Sequence, residues 1–250
     1  MKNIIITFTL IFCTQISYGQ FARFTNHGII EFEKTVNIYA LLKPKNNDNS
    51  FQQEYYEKYK STQPQFIKFR SKLIFDQNKS LFTPVLEDNE KVKMGYWLTN
   101  AGQINEVYTD FKAKNFSTKK TVFEEDFIVK DSLRKIDWKI TSEVREIAGY
   151  NCRRANAIIM DSIYVVAFYT DEIIVSGGPE SFTGLPGMIL GVVFPREHVN
   201  WFATKVTDIG VPDKDFIIPN KGKVTTIVAL KDKILKAGEY FKESLKYFLL

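Results

Sequence analysis

The sequence predicts a mainly β protein (α+β): a single curved antiparallel meander sheet, with a half-open barrel as its more closed form. A short internal helix and a C-terminal amphipathic helix complete the expected set. Three observations carry this prediction. The chain has 250 residues, 44% of them hydrophobic, which is enough for one sizeable core. Short runs that alternate apolar with polar residues recur along it, separated by polar or glycine-containing turns. Only 51–61 and 231–250 change to the three- and four-residue spacing of a helix.

Taken in order, 1–19 has the layout of a signal peptide. Lys2 is the charged start, 4–12 the apolar run, and Ser17-Tyr18-Gly19 puts small residues where a signal peptidase reads them. The apolar run is far short of the roughly 18 residues of a membrane helix. Phe12 before Cys13 is too bulky for a lipobox, so the mature chain is expected to start at Gln20 as one domain, 20–250, with no transmembrane helix. The segment 28–39 alternates and is rich in β-branched residues, a strand signal. Within 51–61, Tyr55, Tyr56 and Tyr59 share one side of the expected short helix.

Further strands follow at 66–75 and 79–83, a hairpin about Asp76-Gln77-Asn78, and then at 96–98, 103–111, 119–123, 125–129 and 138–147. Residues 155–160 and 163–170 flank Asp161-Ser162, the loop length of a tight hairpin. The strand 163–170 is apolar at both parities and is expected to be covered on both faces. Strands at 200–207 and 223–229 precede the tail, where Ile234, Ala237, Phe241, Leu245 and Phe248 form an apolar stripe.

The strongest local signal is Phe182-Thr-Gly184-Leu185-Pro186-Gly187-Met188, preceded by Gly177, Gly178 and Pro179. Pro186 pushes Leu185 into an extended conformation, and Pro-Gly fits the central positions of a type II turn. The apolar run 188–194 then reads as a buried strand that stops at Pro195.

Gly184-Leu-Pro-Gly-Met-Ile189 resembles the motif that names the GLPGLI family of exported Bacteroidetes proteins, with Met188 in place of leucine. Trp138-Lys-Ile140, Gly149-Tyr-Asn-Cys152, Ala155 and Phe168-Tyr-Thr170-Asp-Glu-Ile173 extend the resemblance over roughly 105–195, Phe168 standing where the family has tryptophan. The resemblance implies export and a β-rich fold, and it names no activity.

Charge and motifs exclude several function classes. Without Lys2 the mature chain has 33 basic and 29 acidic residues, net +4, interleaved along its length. Only 112–120 is locally basic, so no nucleic-acid footprint is expected. Cys152 is the one cysteine outside 1–19, and it alternates onto the face of Tyr150 as a buried residue. Two histidines, His27 and His198, cannot build a His-rich metal site. No nucleophile elbow and no phosphate-binding glycine loop occurs, so no metal and no cofactor is expected.

Two functions of different class follow. The first is a non-enzymatic module of the periplasm or exterior, binding an apolar ligand or another outer-membrane or envelope protein. The second is a hydrolase with an unfamiliar site near the glycine-rich loop, using Asp171, Glu172 and His198. The loop residues Gly177, Gly178, Pro179, Phe182, Gly184, Leu185, Pro186 and Gly187 are the candidates for a binding or structural role in either case.

Overall fold

Alternation of apolar and polar residues becomes a single mixed sheet of twelve strands in the computed structural model. The structure describes residues 24–44, 50–85, 105–122, 124–236 and Gly238. The proposed signal segment 1–19, the 96–98 strand and most of the tail lie outside these residues.

The strands are β1 (Gly28–Asn37), β2 (Phe66–Phe75), β3 (Lys79–Pro84), β4 (Glu106–Asp110), β5 (Asn115–Val122) and β6 (Glu125–Ser132). They continue as β7 (Lys139–Ile147), β8 (Tyr150–Ile159), β9 (Ile163–Thr170), β10 (Met188–Phe194), β11 (Val199–Thr207) and β12 (Lys223–Thr225). Helices α1 (Ile38–Leu42) and α2 (Ser50–Thr62) precede β2, and α3 (Ile227–Lys236) follows β12.

Sheet order is β12-β6-β5-β4-β3-β2-β1-β11-β10-β9-β8-β7. Two antiparallel meanders, one running β1 to β6 and one β7 to β11, thus join where β1 pairs β11, and of the twelve described strands only β12 pairs in parallel. The curved mainly β sheet with few helices is the fold class expected.

Inward parity is read directly from β1, where Ile30, Phe32, Lys34 and Val36 are buried and the residues between them are not. Register carries that parity across the sheet through Leu73, Phe82, Val107 and Thr118 on one side and Trp201, Val192 and Ala167 on the other. β9 is buried on both parities, as its composition predicts.

Some local expectations need correction. Residues 223–229 do not form one strand: β12 ends at Thr225, and Val228 and Ala229 belong to α3, which seats Leu230 and Ile234 against Phe116, Val122 and Phe127. The β8–β9 hairpin loop has three residues, because Ile159 pairs Ile163, and Met160 and Asp161 both have positive φ. α2 buries no residue; its tyrosines meet only the edge of the core, Tyr59 packing edge-on to Tyr39 at 6.4 Å between centroids.

Candidate functional site: a buried ion cluster under the glycine-rich loop

The segment between β9 and β10 tucks its residues into the protein. Gly177, Gly178, Pro179, Phe182, Leu185 and Gly187 are buried, and only Gly184 and Pro186 of the expected set face solvent. The backbone is fastened from several sides. Ile189 N donates to Gly177 O (2.8 Å), Met188 N to Ile173 O (3.0 Å), and Trp138 Nε1 to Thr183 O (2.9 Å). A Cβ on Gly178 would lie 2.8 Å from Ile189 Cβ, so the close packing needs glycine there.

The Pro-Gly turn differs from type II. Gly187 N donates to Leu185 O at 2.8 Å, closing a three-residue turn, while Met188 N is taken by Ile173. Competition from Ile173 for that donor is the physical reason. Gly187 does hold positive φ, at 146°.

Glu180 sits within this segment at φ 54°, in the left-handed region that a non-glycine residue seldom adopts. It is 7% exposed, and its Oε2 accepts a hydrogen bond from Asn105 Nδ2 at 2.8 Å. Lys34 of β1 and Lys120 of β5 both act on its carboxylate, although their strands are four positions apart in the sheet. At about 4.8 Å per strand a flat sheet would hold them roughly 19 Å apart, so the curvature of the sheet brings them to one centre.

Burial dominates the electrostatics. It holds Lys34 and Lys120 down to about 8, with Glu180 opposing in each case, and pushes the Glu180 carboxyl up against the pull of both lysines. Lys34 Nζ lies 4.7 Å from the Trp201 ring centroid and 5.9 Å from that of Phe69, its register partners on either side. Arg134 adds a third cation to the field at Lys120.

The acids and histidine expected to act together do not meet. Asp171 is exposed and paired with Arg153 at 3.3 Å, and Glu172 is exposed beside it. His198 follows the far end of β10, so the seven residues of that strand, roughly 20 Å, separate it from Asp171. Their nearness in sequence to the loop misled, because a strand carries its two ends apart. Cys152 is fully buried and its thiol is pushed up to about 12, chiefly by desolvation, so it is no nucleophile. Among the described residues, no three His, Cys, Asp or Glu side chains are placed to hold a metal ion, and no helix is long and apolar enough to cross a membrane.

The Lys34–Lys120–Glu180–Asn105 cluster was missed because the basic run 112–120 reads as a solvated face. Parity held the signal: Lys120 shares its side of β5 with Phe116, Thr118 and Val122, and Lys34 shares its side of β1 with Phe32 and Val36. A pocket of about 320 Å³, lined by Ile29, Ile74, Leu81, Val211, Lys72 and Asp215 among others, lies on the opposite face of the sheet.

The family model for the N-glycanase peptide, N-terminal domain, matches residues 50–226, more than half of the chain, and the chain belongs to that family. Two crystal forms of PNGF-II share its fold, at 19% and 18% identity with TM-scores of 0.50 and 0.52. Each alignment covers 85% of this chain and about a third of PNGF-II, 34% and 33% respectively. No curated protein matches the chain.

These findings overturn two expectations. The GLPGLI resemblance is replaced by the N-glycanase domain family, whose match encloses every residue that carried the resemblance. Leu185, Gly187, Met188 and Ile189 of that motif are buried where the chain turns into β10, so the motif describes a packing requirement. The non-enzymatic module for an apolar ligand or an envelope protein likewise gives way to the hydrolase alternative, since the matched family takes its name from a glycan-cleaving enzyme.

Proposed function

We propose that this member of the N-glycanase N-terminal-domain family works in the hydrolysis of N-linked glycans, with Glu180 as the acid of its site. The family match over 50–226, which takes in Asn105, Lys120 and Glu180, is the observation that carries the reading. Hydrolysis of a glycan linkage needs a proton for the leaving group and a base for water. Burial pushes the Glu180 carboxyl up, the direction in which a general acid is tuned. Lysines held near 8 exchange protons closer to neutrality than free lysines do. Access to Glu180 requires the segment clasped by Trp138 to lift. Action outside the cytoplasm follows from the signal-like segment 1–19, as a periplasmic or secreted protein.

The chain spans about a third of the length of PNGF-II, so the activity is tested on this chain alone. Purified 20–250 is incubated with a denatured N-glycoprotein, and released glycans are labelled and counted by mass spectrometry. Release above the blank is expected, with Glu180→Gln slower by about 100-fold or more and its circular dichroism unchanged. A folded wild-type chain that releases no glycan would overturn the proposal. Undiminished release by Glu180→Gln would move the chemistry away from this cluster.

A further inference from the structure

We propose that the pocket on the outer face of the sheet binds a zwitterion with an apolar branch, namely a large apolar α-amino acid such as phenylalanine. The pocket lies on the face away from Glu180, and the inference does not rest on the hydrolase reading.

Register builds the floor of this pocket. Ile29 of β1 pairs Ile74 of β2, and Ile74 pairs Leu81 of β3, so three apolar side chains stand in one row across adjacent strands. Their neighbours Ile30, Leu73 and Phe82 take the other parity and belong to the main core. The chain leaving β11 crosses the row and forms a wall. Val211 packs against the cluster of Ile74, Leu81 and Phe216. Farther along, Lys79 Nζ donates to Asp213 at 2.8 Å and lies 4.7 Å from the ring centroid of buried Phe216, which fastens the wall in place. The space left between wall and floor is about 320 Å³, at the small end of the roughly 300–1,000 Å³ usual for small-molecule sites. Gly210 also lines it, and a Cβ there would meet no atom within 4 Å, so the wall leaves room at its rim.

Two opposite charges line the same space. Lys72 stands two residues before Ile74 on the same face of β2, and Asp215 ends a short 3-10 turn in the wall; both are exposed. The charges nearest to them are engaged elsewhere. Glu31, the register partner of Lys72, pairs with Lys205 at 3.8 Å, and Asp213, two residues before Asp215, pairs with Lys79. Among the described residues neither Lys72 nor Asp215 forms an ion pair.

That pattern chooses the ligand. An ammonium attracts an anion and a carboxylate attracts a cation. A fatty acid would satisfy Lys72 but meet repulsion from Asp215, and an alkylamine would do the reverse. In an α-amino acid both charges and the apolar branch leave one carbon. The branch can therefore cover the Ile29–Ile74–Leu81 row while the carboxylate faces Lys72 and the ammonium faces Asp215.

The test is an NMR titration of the isotope-labelled mature chain with L-phenylalanine, repeated with phenylalaninamide and N-acetylphenylalanine, which each delete one charge. Saturable shifts at Gly210, Val211 and Asp215 are expected, with a dissociation constant of about 1 mM or tighter. Each derivative should bind about 5-fold more weakly, the worth of one exposed charged contact. Lys72→Met should weaken phenylalanine and erase its advantage over phenylalaninamide, and Asp215→Asn should erase its advantage over N-acetylphenylalanine. Both substitutions lie at exposed positions, so circular dichroism should not change. Absence of saturable binding by the wild type up to about 20 mM would overturn the site. So would shifts centred elsewhere, or wild-type affinity in both variants. Equal affinity for N-acetylphenylalanine would overturn the assignment to a zwitterion.

Discussion

Lys34 and Lys120 each carry an ammonium group into the interior, and the consequence appears in the dependence of stability on pH. Their folded values of about 8 lie below the ordinary 10.5. Between those values the unfolded chain binds protons that the folded chain does not, so stability rises with pH across the window. Below pH 8 the penalty is fully present, on the order of 3 kcal/mol for each lysine. Cys152 works the other way above about 9, since its folded thiol is raised to about 12. Comparing wild type with Lys120→Met cancels that thiol. Urea midpoints from pH 8 to pH 10 should show the wild type gaining on the variant. A constant gap would mean that Lys120 bears no such burden. The cluster was only partly legible in the sequence. Strand parity marks both lysines as inward, but a lysine at inward parity in an edge or amphipathic strand is usually solvated. Glu180 carries no periodic signal at all, because it lies in an irregular segment whose path is set by contacts with Asn105, Trp138 and β10.

At the scale of elements, the Pro-Gly turn determines how β10 enters the sheet. The strand 188–194 was legible to the residue, because an apolar run bounded by Gly187 and Pro195 admits few other readings. The turn type was not legible, since it depends on Ile173 taking the Met188 amide. β12 was overextended for a similar reason: Val224–Ala229 has β-like composition, but the seat that Phe116, Val122 and Phe127 offer to Leu230 and Ile234 favours a helix from Ile227. Glu125 then ties both elements to the start of β6 through Lys223 and Lys233. Gly187 gives the sharpest test at this scale. A Cβ there would stand 2.0 Å from Thr170 O, a distance no side-chain adjustment relieves, at a φ that disfavours any L side chain. Gly187→Val should therefore cost at least about 3 kcal/mol, measured as a shift in urea midpoint. Pro186→Ala, at an exposed position, should cost about 1 kcal/mol or less, mainly by loosening the unfolded chain. Equal effects of the two would mean that the turn does not control the strand.

For the whole molecule, the meander was legible from alternation and turns, but the joint between its halves was not. Pairing of β1 with β11 spans most of the chain, and no local pattern announces a partner so distant. That joint makes the halves interdependent. Lys34 on β1 and Lys120 on β5 act on Glu180, which arrives from the β9–β10 segment, and Trp138 before β7 clasps the same segment. Interior residues from Val107 on β4 to Ala157 on β8 belong to one hydrophobic cluster. Unfolding of either meander would expose the inner face of the other, so the described sheet should melt as one unit. Urea unfolding followed by far-ultraviolet circular dichroism and by tryptophan fluorescence should give coincident single transitions. Two of the three indoles suit this comparison: Trp201 reports the joint beside Lys34, and Trp138 reports the clasp on the loop. Ile234→Ala removes a fully buried side chain at the far end under α3, where about 2–5 kcal/mol is the usual loss. Under one cooperative unit, that variant lowers the midpoint reported by both probes together, although Ile234 belongs to a separate cluster from Trp201. An early dichroism change with the tryptophan signals unmoved would instead divide the chain into two independently folding meanders.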